Sequence, residues 1–498
     1  MTHLSRRHML QSLTAFGGMA ALNTPAFAKV AASKVTKGLQ PDWALGWRNP
    51  IKHNLKTPKL KLVSGKMPKG LTGTLYRNGP AVQERGGFRM NHWFDGDGMV
   101  QRFDMSAEGV AHLGRMVETE MYVRNEKENR MTGGGFGTSV PNPAPLTGPD
   151  SVNAANTSVL PLGGELLALW EGGSAHRLDL ETLESRGVKS WGKDMAGMPF
   201  SAHPKVDIDG TVWNFGQDVF GKRLIIYRIK ADGNLQSVKL IKDVPGGMIH
   251  DFCITERHLI FVAPSFRAVK SSTTFLGRFK YLKDAPQHVI VLDKDDLTVR
   301  RDFELPPGFQ FHYGNAYSEA NGNIHFSVCT GDDRFVTQGA KDVMRGVVPP
   351  SSPINLCHAV LKANGRAEIT EQVSDMADHE FPQFNPLYTG RKARYLYTVG
   401  KSHAGRPGHS AILKHDLQTG DIQSHDYGAK AFSEEHLFVP KGNGKEDEGW
   451  LVGTSLDFGE KVTRLNVLDA QNISDGPAAV FELPYALPLG FHGAWQSA

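Results

Sequence analysis

After about residue 58 the chain never stops making strands. Runs such as "TGTLYRNG", "TVWNFGQDV", "RLIIYRIK", "HLIFVAPSF", "HVIVLDKDD", "NIHFSVCTG" and "GWLVGTSLDF" follow one another. Each is of strand length, rich in β-branched and aromatic residues, and bounded by Gly, Asp or Asn. Several close on hairpin signals such as "DIDG", "KADG" and "EANGN". No long amphipathic helix breaks the series, and helical pieces are expected only in insertions, around residues 267–284 and 337–346. "VETEMYVRN" reads as one more strand. Many short strands without helices leave a sandwich, a barrel or a propeller. A sandwich of about 100 residues would have to repeat with linkers between copies, and no linker-like stretch follows residue 58. A propeller takes the whole length as one domain. Seven blades would average about 67 residues, more than the ~40–50 of compact repeat families, so the blades should carry insertions. Repeat identity alone does not count the blades.

The fold class expected is therefore all-β, a β-propeller with a few helical or loop insertions on one face, over residues 58–498. Residues 29–57 form an N-terminal extension. Residues 1–28 read as an export signal: Arg6 and Arg7 follow Ser5, a mildly apolar Gly-containing stretch comes next, and Ala26-Phe27-Ala28 ends it. The arginine pair resembles the twin-arginine type, with Met9 where Phe is commoner. An uncleaved amphipathic N-terminus is the alternative. The stretch is too short and too polar for a stable membrane span. The expected location is the periplasm.

Charge excludes one class of partner. The net charge is only +4 with no long basic run, which argues against nucleic acid. Cys253, Cys329 and Cys357 are odd in number and show no C-x-x-C spacing, so they read as small buried hydrophobes. Histidine is abundant, with 20 residues, and four lie in apolar, strand-like surroundings: His203 in "SAHPKVD", His250 in "GGMIHDFCIT", His312 in "GFQFHYGNAYSE" and His492 in "PLGFHGAW". The first two steps between them are about one inserted blade each, and the last about three. Inner strands of a propeller converge on its axis, so four such residues can meet. Taken singly, each is as well read as a core histidine bonded to a carbonyl. Taken together they suit an axial metal, because each buried imidazole needs a partner and neutral imidazole favours Fe, Cu, Zn or Ni. Zinc closed by four His would be structural only, whereas iron accepts further ligands.

Other motifs point nowhere. "DGDG" at Asp95–Gly98 lacks the later ligands of a calcium loop and reads, with His92, as a tight turn on an outer strand. "GGGFG" near Gly133 has no strand–helix context for nucleotide binding, and no G-x-S-x-G supports a serine hydrolase.

Nine segments in order, "LYRNGPA", "HWFDGDGMV", "LLALWEGG", "FSAHPK", "MIHDF", "FHYGNAY", "HEFPQFNP", "EHLFVPK" and "FHGAW", resemble the carotenoid cleavage oxygenases. That family includes bacterial apocarotenoid-cleaving enzymes, plant and animal carotenoid cleavers, bacterial stilbene cleavers and the retinoid isomerase of the visual cycle. The resemblance spans roughly residues 58–495. It implies a seven-bladed β-propeller with one axial Fe(II) per subunit held by His203, His250, His312 and His492. It also implies three glutamates on the outward ring nitrogens, matching Glu171, Glu380 and Glu435, with Glu434 as an alternative to Glu435 because His436 replaces the usual Pro. Such carboxylates fix tautomer and ring direction. Thr157 in "NAANTSVL" matches a threonine whose methyl group lies beside the iron. The implied reaction is scission of one C=C bond by O2 into two carbonyl products.

A lysine that holds phenols in stilbene cleavers is absent between Val117 and Val123, where Met121 and Tyr122 stand. A carotenoid or apocarotenoid is therefore the expected substrate, with a stilbene as the alternative. An isomerase outcome and an exported propeller that binds a partner without chemistry remain open. Residues 265–283 mix Phe, Leu and Tyr with Arg and Lys, which would suit peripheral membrane contact; an insertion packed on the propeller fits equally.

Overall fold

The computed structural model describes residues 41–498, apart from 270, 351, 373, 375, 376 and 402. The export-signal reading and the extension up to residue 40 lie outside the described residues. Among the described residues, seven antiparallel sheets of four or five strands follow one another along the chain and form a seven-bladed β-propeller. We number them as blades. Blade 2 opens with Ser158–Leu162, blade 3 with Lys205–Val206, blade 4 with Cys253–Ile254, blade 5 with Phe309–Ser318, blade 6 with Ala377–Gln383 and blade 7 with Ala431–Pro440. These opening strands lie innermost, and those of adjacent blades touch side by side, as in the contacts of Phe309–Ser318 with Ala377–Gln383.

Blade 1 is closed by both ends of the chain. Its innermost strand is the last of the protein, Gly493–Ser497, paired in register with Gly73–Arg77. Its outermost strand is Asn54–Thr57, paired with Arg115–His112. The propeller thus begins within the segment read as an extension. Lys61–Gly65 completes blade 7 on its outer edge. A 3-10 turn over Asp42–Trp47 inserts Trp43 and Trp47 into the wedge between blades 7 and 1.

The two-residue period of the strands explains why the core is several wedges rather than one centre. In blade 3, Ile225, Tyr227 and Ile229 face blade 2, while Leu224 and Ile226 face blade 4. In blade 4, Leu259, Phe261 and Ala263 face back toward blade 3, and Ile260 and Val262 face blade 5. Middle strands are therefore apolar on both faces, which is why their sequences show near-continuous hydrophobic runs. Outer strands such as Ala367–Glu371 are half-solvated. Each fully buried Leu, Ile or Phe contributes about 1.5–3 kcal/mol. The three cysteines are buried and unpaired, as read.

Three local readings are corrected. "VETEMYVRN" is not a strand: an α-helix spans Glu120–Glu128. The Thr119 hydroxyl accepts the Tyr122 N–H at 3.1 Å, Glu120 pairs with Arg124 at 3.0 Å, and Asn129 ends the helix in the left-handed conformation. That cap overrides the β preference of Met-Tyr-Val. Residues 267–284 are not helical: Phe266–Ala268 pairs with Phe279–Tyr281, joined through a 3-10 turn at Leu276–Arg278. Phe266, Leu276 and Phe279 point inward, so this segment packs on the propeller. The second expected helix is present, as a π turn over Phe335–Gly339 that continues into Ala340–Met344. Finally, "DGDG" is no outer turn. Asp95 is buried and accepts the Phe136 and Gly137 N–H groups at 3.0 and 3.1 Å. A Cβ on Gly98 would lie 2.3 Å from the Ala155 carbonyl oxygen, so the turn is wedged under the segment that carries Thr157.

Candidate metal centre

Each blade delivers one residue to the axis at the start of, or within, its innermost strand. Thr157 comes from blade 2, His203 from blade 3, His250 from blade 4, His312 from blade 5, Glu380 from blade 6, Glu435 from blade 7 and His492 from blade 1. Of the four histidines only His312 lies inside a strand; the others sit one to three residues before theirs. The strands of blades 5, 6 and 7 are bulged here. Their registers shift between Gln310 and Tyr313, on both sides of Glu380, and between Ser433 and His436. A bulge re-aims side chains that strict alternation would send to opposite faces.

The four imidazoles are buried, and one ring nitrogen from each lies within 4.8 Å of all the others. His203 Nε2 and His250 Nε2 are 2.9 Å apart. Three of the rings are backed by carboxylates. His250 Nδ1 pairs with Glu171, His312 Nδ1 is 2.5 Å from Glu380 Oε2, and His492 Nδ1 is 3.0 Å from Glu435 Oε1. An ionised carboxylate only accepts, so each of these rings carries its proton on Nδ1 and turns an Nε2 lone pair to the centre. Three lone pairs then converge, with at most one N–H, from His203, to answer them. His312 Nε2 is buried with no hydrogen-bond partner. A cation fits this donor set, and among the described residues no group substitutes for it.

Electrostatics favour the neutral, ligating form at two of the four rings. His203 and His492 are held well below the ordinary histidine range, first by burial and then by the neighbouring imidazoles. Burial also pulls His250 down, but the Glu171, Asp251 and Glu380 carboxylates together more than reverse this and leave it raised. Burial pushes Glu435 up to about 7, with Arg77 and the Gly493 N–H acting against it.

The choice between Glu434 and Glu435 is resolved by geometry. Glu435 takes His492 Nδ1, the Gly493 N–H at 2.7 Å and Gln383 Nε2 at 3.0 Å. Glu434 instead bonds Arg77, Thr454 and the Gly490 N–H. Thr157 borders the cavity beside His250, His312 and His492, and its carbonyl accepts the His492 N–H at 3.3 Å. Sequence reasoning missed Arg77, Gln383 and Phe381. Phe381 stacks on His312 with centroids 5.3 Å apart and sits at φ 52°, an uncommon conformation for a non-glycine residue. Arg77 could have been flagged as a charged residue within an otherwise apolar strand sequence; Phe381 and Gln383 had no such signal.

A cavity of about 280 Å³ ends on His250, His312 and His492. Its walls are aromatic, including Trp47, Trp93, Phe94, Phe136, Phe311 and Phe491. Met121 of the helix lines it, while the Tyr122 hydroxyl bonds His53 Nδ1 at 3.0 Å instead. Among the described residues no lysine lines it, and Arg278 is its one arginine.

The profile of the family described as Retinal pigment epithelial membrane protein matches residues 49–497. Apocarotenoid-15,15'-oxygenase of Synechocystis is 31% identical over 467 residues, covering 87% of this chain and 92% of that protein. Resveratrol cleavage oxygenase 1 of Aspergillus fumigatus is 24% identical over 462 residues, covering 87% and 91%. The crystal structure of the cobalt-substituted Synechocystis apocarotenoid oxygenase superposes with a TM-score of 0.81 at 28% identity, covering 92% of this chain and 98% of that one.

Proposed function

The chain belongs to the Retinal pigment epithelial membrane protein family, that of the carotenoid cleavage oxygenases, and from that premise we propose that it is an Fe(II)-dependent dioxygenase cleaving one C=C bond of a carotenoid or apocarotenoid. The observation that carries this reading is the convergence of four imidazoles, three backed by buried or half-buried carboxylates, at the end of an aromatic cavity. His203, His250, His312 and His492 would hold the iron, and the bound ion would supply the activation of O2. Both oxygen atoms end in the two carbonyl products, so no external reductant is consumed. Glu171, Glu380 and Glu435 fix the ring directions of three ligands, and Thr157 shapes the open side. The aromatic walls exclude water and set which double bond comes to rest beside the site.

A carotenoid is favoured over a stilbene because the segment expected to carry a phenol-holding lysine in a stilbene cleaver presents Met121 to the cavity, and no lysine lines the cavity among the described residues. Peripheral membrane contact through residues 265–283 would use the exposed Val269, with the exposed Phe220 close by, 5.4 Å from Arg278. Export to the periplasm rests on Arg6, Arg7 and the Ala26–Ala28 end; N-terminal sequencing of the exported protein, expected to begin at Lys29, tests it.

The decisive experiment loads the protein anaerobically with Fe(II), then supplies 18O2 with apocarotenals and hydroxystilbenes and reads products by mass. One 18O in each of two carbonyl fragments from an apocarotenal is expected. Label-free isomerised product would make it an isomerase. A folded protein that takes up no iron would make it a binding propeller.

A further inference from the structure

One buried ion pair has no part in the chemistry above. Arg77, on the second strand of blade 1, meets Glu434, on the innermost strand of blade 7, with Nη2 3.2 Å from Oε1; the side chains are 4% and 7% exposed. Such a pair is weak support for stability, because desolvation offsets much of its attraction. Its other contacts are more telling. Arg77 Nη1 donates to the Glu435 carbonyl at 2.7 Å, and Nη2 reaches the Phe491 carbonyl at 3.5 Å. Glu434 Oε1 also accepts the Gly490 N–H at 2.6 Å, and Oε2 accepts the Thr454 hydroxyl at 2.6 Å. The pair therefore grips the two residues before His492 and the backbone of the glutamate that orients His492.

The segment it grips has little room. A Cβ on Gly79 would lie 2.4 Å from Gly490 Cα. Asn78 exchanges two backbone bonds with the same stretch, its N–H to the His492 carbonyl at 2.9 Å and its carbonyl from the Phe491 N–H at 2.8 Å. The bulge that turns Glu434 and Glu435 together is itself tied: His436 Nδ1 bonds the Glu434 carbonyl at 2.8 Å, and Nε2 bonds the Tyr427 hydroxyl at 2.8 Å.

We infer that Arg77 and Glu434 are positioning residues for the metal centre, setting residues 490–492 so that His492 and Glu435 meet the other three histidines. This rests on reading the four histidines as a metal site. The test is the double variant Arg77→Met/Glu434→Gln, which leaves no buried charge unpaired, compared with the wild type and with Lys414→Met/Asp447→Asn. The latter removes another largely buried pair, 2.8 Å apart, outside the site. Each protein is titrated with Co(II), its visible ligand-field bands are recorded, and amide exchange is followed across residues 488–493.

The expected result is about a tenfold or greater loss of Co(II) affinity, shifted bands and faster exchange in the Arg77/Glu434 variant, with the control unchanged in all three. Wild-type affinity and bands in a folded double variant would overturn the inference, as would an equal loss in the control. A wild-type chain that takes up no Co(II) sinks the metal reading instead. Exchange alone then decides whether the pair grips the segment: faster in the double variant if it does, unchanged if it does not.

Discussion

Replacing each carboxylate behind the histidines by leucine should weaken metal binding in an order set by burial. Glu380 accepts His312 Nδ1 at 2.5 Å and the Phe381 N–H at 3.1 Å, and its side chain is 7% exposed. In Glu380→Leu the imidazole N–H has no acceptor, and water cannot reach it. Losing a hydrogen bond to a charged group costs about 1.5–3 kcal/mol. The usual penalty for removing a carboxylate behind a metal ligand is about 10–100-fold in affinity, which is about 1.4–2.8 kcal/mol, so the two estimates agree. Glu171 also bonds its histidine, His250, but its side chain is 33% exposed. Solvent can supply a substitute acceptor there, and the loss in Glu171→Leu should stay below about tenfold. Glu435→Leu removes acceptors for His492, Gly493 and Gln383 together, so it should lose metal at least as strongly as Glu380→Leu and also lower the unfolding midpoint. Competition for Co(II) against a chromophoric chelator gives the three affinities. If Glu171→Leu loses more than Glu380→Leu, or if Glu380→Leu stays within twofold of wild type, the carboxylates do not act by orienting buried imidazoles.

His492→Ala should lower metal affinity by at least about 100-fold while Gly493–Ser497 still closes blade 1; metal content and circular dichroism of the same sample check both halves. Gly98→Ala forces a Cβ to within 2.3 Å of the Ala155 carbonyl oxygen and should destabilise the fold by about 1–3 kcal/mol, measured by denaturant unfolding. Burial holds His92, His112 and His415 neutral, each down to about 3. From about pH 6.5 down to 3 the unfolded chain therefore binds protons that the folded chain refuses. Stability is complete above pH 6.5 and falls as pH drops, by up to about 1.4 kcal/mol per unit per histidine. Burial raises Asp95 and Asp97 to about 6; these work in the opposite sense between about pH 4 and 6 and offset part of the slope. Denaturation midpoints at pH 7, 6 and 5 should decline, and less steeply in His112→Gln. A midpoint that rises as pH falls would contradict the assignment.

The propeller and the meeting of its four histidines were legible for a shared reason. A wedge-packed blade needs middle strands apolar on both faces, so "RLIIYRIK" and "HLIFVAPSF" announce themselves by composition alone. A histidine among such residues stands out because burial demands a partner for it. Local exceptions were hidden where a short polar contact outweighs composition. The Thr119 hydroxyl on the Tyr122 N–H makes a helix of residues whose side chains favour a strand. The inward turn of Phe266, Leu276 and Phe279 depends on the aromatic cluster they join, with Phe309 and Phe311 from blade 5, which no local pattern records.

The bulges are the deeper case. With strict alternation, adjacent Glu434 and Glu435 would point to opposite faces of their strand, and the strand pattern alone does not say which of them meets a histidine. The register shift between Ser433 and His436 lets both turn toward the axis and divides their tasks: Glu435 takes His492, and Glu434 takes Arg77 and Gly490. The same holds for Glu380, which lies between two register shifts with Asp378 and Phe381 at φ 61° and 52°. Positive φ at non-glycine residues costs energy, and it persists only where surrounding contacts over-determine it. Here those contacts are the stacking of Phe381 on His312 and the bond from the Phe381 N–H to Glu380. The strain is thus held by the same two side chains whose orientation it sets. A chain read one strand at a time cannot reveal that, because the partners come from blades 5 and 6 and meet only when the ring is assembled.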